Sequence, residues 1–409
     1  MRILIISSYF QPEAVGGLER SAFEAACGLH RAGHHVEVLT CRWRGGIQAE
    51  EAPFSVHRLL SSSSPAQYYG HHLRTLPRRF RDAAANATAG RENLALMRDF
   101  LKEHSFDILA VWAFSGIGMG LVHAATDEGI PVVWHVGDLN LRERLHPHWV
   151  NEVIHRLTDA AWMRVERSVS TQTVLVNSEF TRRMYAERGF PPESLRVIYR
   201  GVAGDQVLDV PLPRAVPPYL YMACRITPQK GVEDAIRALA LLRAITDSGA
   251  TELWVAGEGE PAYVDGLKGI ARELGVGDAV RFVGSPERSV VLDQMRRASM
   301  ILSASRYEEY FGRVNIEAMA CATPLLAANT ENVREIGVDG QDLLTFQQCD
   351  PKDLAAKAHR ILTDSELSSR LVASATKRVR EAFLQDVIDR QIIEVYSQLV
   401  GVTAQKATA

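Results

Sequence analysis

Short apolar runs alternate with longer amphipathic stretches along the first half of the chain. Arg2 to Ser7 and His35 to Thr40 carry the dense apolar pattern of buried strands. The stretch between them, from about Gly17 to Arg31, has helical spacing and stops at Gly33. Asp107 to Trp112, Pro131 to His135 and Thr173 to Val176 are further β-rich runs separated by helical patterns. Strands that alternate with helices predict a parallel, doubly wound sheet covered on both faces. Between residues 61 and 90 the pattern fails: Ser61 to Ser64 are followed by Arg74, Arg78, Arg79 and Arg81, which predicts an insertion carrying a surface helix.

Residues 203 to 218 hold four prolines and neither period, the mark of a linker. The alternation then restarts. Tyr219 to Cys224, Glu252 to Ala256, Ala279 to Val283, Met300 to Ser303 and Pro324 to Ala327 read as strands, with a helix from about Val232 to Ala244. The chain ends in helical segments at roughly 351–363, 366–383 and 386–400. The expected fold is therefore α/β, with Rossmann-like domains at 1–203 and 219–385 joined by a linker at 204–218. Open parallel sheets bind ligands beyond the carboxyl ends of their strands, so two facing sheets would set the site in the cleft between them.

Composition narrows the function classes. A chain of 409 residues favours two or three domains, and 46% hydrophobic with 23% charged residues suits a globular protein. A formal net charge of -3 argues against bulk attraction to nucleic acid or anionic membranes. The five cysteines, at 27, 41, 224, 321 and 349, are odd in number and scattered, which fits neither a disulfide framework nor a zinc site. A reducing cytoplasm is the simplest location. No run approaches the length of a membrane span, and Met1 to Ser7 is too short for a leader and reads as a strand.

Four segments could carry chemistry. Glu309-Tyr-Phe-Gly-Arg-Val-Asn-Ile-Glu317 follows the Met300–Ser303 strand and runs into a helix. Two carboxylates about two turns apart can accept hydrogen bonds from two hydroxyl-rich groups along one helix face. Of Glu308 and Glu309, only Glu309 has a glutamate eight positions on, which fixes the register. Arg225-Ile-Thr-Pro-Gln-Lys230-Gly231 joins a strand to a helix, and two cations beside a helix N-terminus make a natural diphosphate site. Gly16-Gly17 opens the first helix and allows close backbone approach to a ligand. His135 ends the Pro131–His135 strand, on the side expected to face the cleft. Each has a plainer alternative: solvated glutamates, an ordinary basic loop, a flexible helix start and a core histidine. The other twelve histidines show no metal-ligand pattern, and no Asp-x-Asp pair occurs. Gly116-x-Gly118-x-Gly120 resembles a dinucleotide fingerprint but has its third glycine one position early, and close helix–strand packing is the better reading.

Together and in this order, these segments resemble the family-four retaining glycosyltransferases of the GT-B fold, over nearly the whole chain. The likeness is most specific across Arg225 to Lys230 and from Glu309 through Glu317-Ala-Met-Ala-Cys-Ala-Thr-Pro324. It implies two facing Rossmann-like domains with an interdomain cleft, and a terminal helix, about 386–409, crossing back onto the first domain. It further implies transfer of a hexosyl-type unit from a UDP- or GDP-type nucleotide sugar to an acceptor hydroxyl, with retention and without a metal or other cofactor. Glu309 would then contact the donor sugar and Glu317 the ribose, while Arg225 and Lys230 clamp the diphosphate with the backbone amides of Phe311, Gly312, Arg313 and Val314. Gly16 and Gly17 would approach the donor, and His135 would line its sugar pocket.

Departures from the family pattern are Cys224, Ala256 and Ala322 at usual glycine positions, Tyr310 where a small residue is common, and Arg200-Gly201 in place of Asn-Gly. The acceptor stays open between a small-molecule glycoside, a lipid and a polysaccharide. The Arg74–Arg81 segment is read either as a peripheral membrane contact on the inner face or as a solvated or acceptor-recognising surface helix. Two other functions stand as alternatives: an NAD(P)-dependent oxidoreductase using Gly116 to Gly120, and a non-catalytic sugar-nucleotide-binding protein.

Overall fold

A computed structural model describes residues 1–11, 17–42, 52–63, 76–138, 141, 172–245 and 250–408. The chain divides into two compact units, Met1–Tyr199 with Ile388–Ala409, and Arg200–Val387.

In the first unit the strands are β1 (Arg2–Ser7), β2 (His35–Cys41), β3 (Ser55–Leu60), β4 (Ile108–Ala113), β5 (Val132–Val136), β6 (Thr173–Val176) and β7 (Leu195–Val197). They form a parallel sheet in the order β3-β2-β1-β4-β5-β6-β7. Its helices are α1 (Gly17–Arg31), α2 (Leu76–Glu103), α3 (Gly120–Asp127) and α4 (Glu179–Ala186). Successive strand residues face opposite ways. Leu4, Ile6, Leu109, Val111 and Trp134 therefore join one buried cluster, whereas Ile3, Ile5, Ala110, Trp112 and Val133 join another.

The structure corrects the reading of residues 61–90. α2 is a 28-residue helix whose second half belongs to the core, with Met97 and Phe100 buried. Its Asn93 donates to the carbonyl oxygens of Ser61 (2.9 Å) and Ile117 (2.8 Å) and accepts from the Ser61 amide. The glycine run at 116–120 packs here. A Cβ on Gly120 would stand 1.9 Å from the Gly90 carbonyl oxygen, and one on Gly118 would stand 2.5 Å from the Gly90 Cα. These glycines let α2 approach closely, and the oxidoreductase alternative loses the feature that suggested it.

In the second unit the strands are β8 (Tyr219–Ala223), β9 (Glu252–Ala256), β10 (Val280–Gly284), β11 (Met300–Ser303), β12 (Leu325–Ala328) and β13 (Leu344–Phe346). The order is β10-β9-β8-β11-β12-β13, again parallel, so it reverses between β8 and β11. The helices are α5 (Val232–Arg243), α6 (Pro261–Glu273), α7 (Arg288–Arg297), α8 (Arg313–Ala320), α9 (Glu331–Ile336), α10 (Pro351–Thr363) and α11 (Ser365–Arg378). A π-helical turn at Val379–Phe383 leads to α12 (Gln385–Thr408).

The proline-rich stretch expected as a linker is fastened to this second unit. Arg214 donates to the carbonyl oxygens of Arg296, Ala298 and Ala322 at 2.9–3.1 Å and to Thr323 Oγ1 at 3.1 Å. Burial holds its pKa below the ordinary arginine value. Leu208 and Ala215 add backbone bonds to Ala320 and Arg297. Ala322 takes a φ of 52°, which explains why its position favours glycine. Among the described residues, no helix is long and apolar enough to cross a membrane.

Candidate active site

The reversal point between β8 and β11 is where a parallel sheet opens a crevice at its carboxyl edge. The loop after β8 turns through Gly231, whose φ of 65° lies in the left-handed region and whose Cβ would stand 1.9 Å from the Ala304 carbonyl oxygen. Glycine is therefore required where the β8 loop crosses the β11 loop. Another crossing is fixed by charge: Arg306 grips Asp234 through Nε (2.6 Å) and Nη2 (2.5 Å), and its amide donates to the Gln229 carbonyl oxygen.

These crossings bring Lys230 and Glu309 together. Lys230 Nζ lies 2.7 Å from Glu309 Oε1, and the same carboxylate oxygen accepts from Ser305 Oγ. Burial works against the Lys230 charge, but the Glu309 carboxylate and then Tyr307 outweigh it and hold the ammonium above its ordinary pKa. Lys230 also stands 5.4 Å from the centroid of the Tyr307 ring, a cation–π arrangement. Arg225, on the same loop as Lys230, is exposed, and no described residue accepts a hydrogen bond from it. Cys224 beside them is no nucleophile: burial pushes its thiol up to about 12.

The second glutamate is held differently. Glu317 Oε1 accepts from Arg288 Nη2 at 2.5 Å and from Arg313 Nε at 3.0 Å, and the residue is 6% exposed. Glu308 plays a structural part, its Oε2 accepting from the Glu331 amide at 2.7 Å and capping α9. Glu308 and Glu309 thus have different partners, the α9 amide for the first and Lys230 for the second. Gly312 has a φ of 75° and is the N-cap of α8, whose first amides, like those of any helix, lack intrahelical acceptors. Phe311 is buried near Phe383 and its carbonyl oxygen accepts from Asn332 Nδ2, whereas Val314 is partly exposed.

The expectation for His135 is corrected. Its side chain alternates with Trp134 and so points into the cluster shared with the terminal helix. It is 1% exposed, stacked on Trp112 at 3.8 Å, and its Nε2 shares a 2.7 Å hydrogen bond with Tyr396 Oη. Burial pushes the Tyr396 phenol up, keeping it protonated and able to donate. His135 lines no opening among the described residues; strand position gave the correct end of the sheet but the wrong face.

Gly17 is exposed at the start of α1, where a Cβ would meet open space. Gly16 lies outside the described residues, as do Arg74 and the side chains of Arg78 and Arg79, whereas Arg81 is exposed on α2.

Sequence reading missed Ser305, Arg306, Arg288 and Asn332. Ser305 is four residues before Glu309 and was within reach of a spacing search. The others meet partners 21 to 72 positions away, which no local period reveals. Glu37, ringed by His35 and His57 at 2.8 Å and His104 at 3.3 Å, is a further cluster of ionisable groups. Among the described residues no group of three or more His, Cys, Asp or Glu is arranged to hold a metal ion.

A family model described as Glycosyltransferase Family 4 matches residues 15–206, and one described as Glycosyl transferases group 1 matches residues 210–378. The chain is 29% identical to a glycogen synthase of Mycobacterium tuberculosis, over 97% of this chain and 94% of that one. It is 32% identical to a D-inositol 3-phosphate glycosyltransferase of Thermomonospora curvata over 49% and 47% of the two chains. Among solved structures, sucrose-phosphate synthase from Thermosynechococcus elongatus superposes with a TM-score of 0.71 at 20% identity, covering 98% of this chain and 99% of that one. Anabaena HepE in complex with UDP and glucose gives 0.69 at 17%, covering 97% and 99%. With two parallel-sheet units and two matched halves, the chain belongs to the family-four glycosyltransferases of the GT-B fold.

Proposed function

We propose that the protein transfers a hexosyl-type unit from a UDP- or GDP-type nucleotide sugar to an acceptor hydroxyl, with retention and without a metal ion. The observation that carries this reading is the Lys230–Glu309 pair at 2.7 Å where the second sheet reverses its strand order, with Arg225 on the same loop as Lys230 and without a partner among the described residues. Arg225 and Lys230 supply positive charge for the diphosphate, the role that a divalent cation fills elsewhere. Donor binding would draw Lys230 toward the phosphate and free Glu309 to accept from sugar hydroxyls. Glu317, aimed by Arg288 and Arg313, offers its second oxygen to a ribose. The Gly312 to Val314 amides add hydrogen bonds at the start of α8.

Neither His135 nor Cys224 offers a side chain to form a covalent sugar intermediate. The acceptor oxygen is proposed to attack the anomeric carbon from the face that the diphosphate leaves. The bond to the diphosphate oxygen breaks as the new bond forms, and that departing oxygen takes the acceptor proton. The named activity of the glycogen synthase relative and the UDP and glucose bound to HepE support the donor class. The acceptor is proposed to be a glycoside, lipid or polysaccharide hydroxyl.

The test is transfer or donor hydrolysis assayed across UDP- and GDP-sugars in wild type and Lys230→Ala. The variant is expected to lose at least about 10²-fold in turnover. A tenfold or smaller loss would remove the diphosphate clamp.

A further inference from the structure

We propose that Asn332 is a positioning residue that turns the Gly312 amide toward the departing diphosphate; this rests on reading the β8 and β11 loops as a diphosphate site. The Phe311–Gly312 peptide is trans, so its carbonyl and its N–H point in opposite directions. Asn332 Nδ2, from a side chain 2% exposed, donates to the Phe311 carbonyl oxygen at 3.0 Å. That bond draws the carbonyl inward and directs the Gly312 N–H away from the interior. Gly312 itself is partly exposed, and no described residue accepts from its amide.

A pin is needed at this peptide. Rotating a peptide plane changes the φ of the residue that follows it, and glycine tolerates nearly every φ. Nothing intrinsic to Phe311–Gly312 would hold the plane in one sense. Asn332 is itself fixed: the Phe311 carbonyl can only accept, which sets the amide nitrogen on its side, and Thr330 Oγ1 then donates to Asn332 Oδ1 at 2.8 Å. The first turn of α9 is in turn capped by Glu308. Residues 308–311 and α9 therefore grip each other at two points, one of them the carbonyl that aims Gly312. A Cβ on Gly312 would stand 2.9 Å from Asn332 Nδ2 and 2.8 Å from Asn315 Nδ2, so the turn rests directly on two buried amides. Glu309, Asn315 and Asn332 also line one narrow slot, which places the pin under the glutamate assigned to the sugar.

The experiment compares the affinities of UDP, UMP, GDP and GMP for wild type, Asn332→Asp and Asn332→Leu by titration calorimetry. Asp matches the volume of asparagine and Leu its branching, both remove the N–H donor, and only Asp adds charge. A loss common to both therefore belongs to the donor. The diphosphate-to-monophosphate affinity ratio should fall by about tenfold or more, the worth of one hydrogen bond to a charged acceptor, while monophosphate affinity holds. A merely structural residue would weaken both ligands together. A folded variant with the wild-type ratio would overturn the proposal. A wild type that does not prefer the diphosphate would instead overturn the reading on which it rests. If Asp and Leu fail to fold, Asn332→Ala, which puts neither charge nor bulk in the space, is read by the same ratio and criteria.

Discussion

The two units are built on one plan and end differently at the place where a ligand would bind. Both sheets reverse their strand order beside their first strand, between β1 and β4 in one and between β8 and β11 in the other. In the first unit three described polar residues near the strand ends are consumed by the fold. Ser7 Oγ donates to the Tyr9 carbonyl oxygen, Ser8 Oγ to that of Ala113, and His135 is shut between Trp112 and Tyr396. In the second unit the polar groups stand on the loops beyond the last paired residue, where Lys230, Glu309 and Arg225 keep access to solvent. A polar residue at the carboxyl end of a strand is thus a site candidate only when its own face is open. The terminal helix covers that face around His135.

Four substitutions would break or sharpen this contrast. The largest effect belongs to Lys230→Ala, the at least 10²-fold loss of turnover given above, with thermal unfolding near that of wild type. Its counterpart in the first unit, His135→Ala, should do the reverse. Stability should fall by about 3 kcal/mol in urea unfolding, since a buried ring is replaced by a cavity, while turnover per folded molecule holds. A catalytic loss without a stability loss would return His135 to the site.

Gly120→Ala comes next. Its methyl group would press on the Gly90 carbonyl oxygen, and the overpacking should cost about 2 kcal/mol in the same measurement. Nucleotide binding in the folded fraction should hold, and a selective loss of binding would give the glycine run a ligand role.

Glu37→Gln should have the smallest effect. Burial alone would raise the Glu37 pKa, but hydrogen bonds from His35 and His57 and the charge of His104 outweigh it and hold it below the ordinary value of 4.5. A lowered folded-state value means that ionised Glu37 stabilises the protein above pH 4.5, an advantage lost as pH falls through the lower folded value. Melting temperatures of wild type and variant should therefore differ at pH 6 and converge on acidification. Parallel curves would remove Glu37 from the pH response.

Much of the fold was legible because buried parallel strands read as continuous apolar runs. β1, β6, β9 and β11 run as expected, and so does α1. The strands missed are those without such a run. β3 is a half-buried edge strand carrying His57 and Arg58, and β7 and β13 have three residues each. α2 was mistaken for a surface insertion because its basic first turns precede the half that packs. Within the candidate site, the Glu309–Glu317 spacing and the Arg225–Lys230 loop could be singled out from sequence since each lies in one segment. Arg288 and Asn332 were not, because their tertiary contacts join separate segments and leave no period in the sequence. His135 failed for a different reason: period-two alternation gives two faces, and only the packing of a distant helix decides which is closed.

The most direct test of the central claim is a thermal-shift titration with UDP, GDP and NADH, run on wild type and on an Arg225→Ala/Lys230→Ala double variant. A ligand that binds only the folded form raises the melting temperature. The account predicts stabilisation of wild type by UDP or GDP and loss of that shift in the double variant. Stabilisation by NADH alone, or a diphosphate shift that the double variant retains in full, would contradict it.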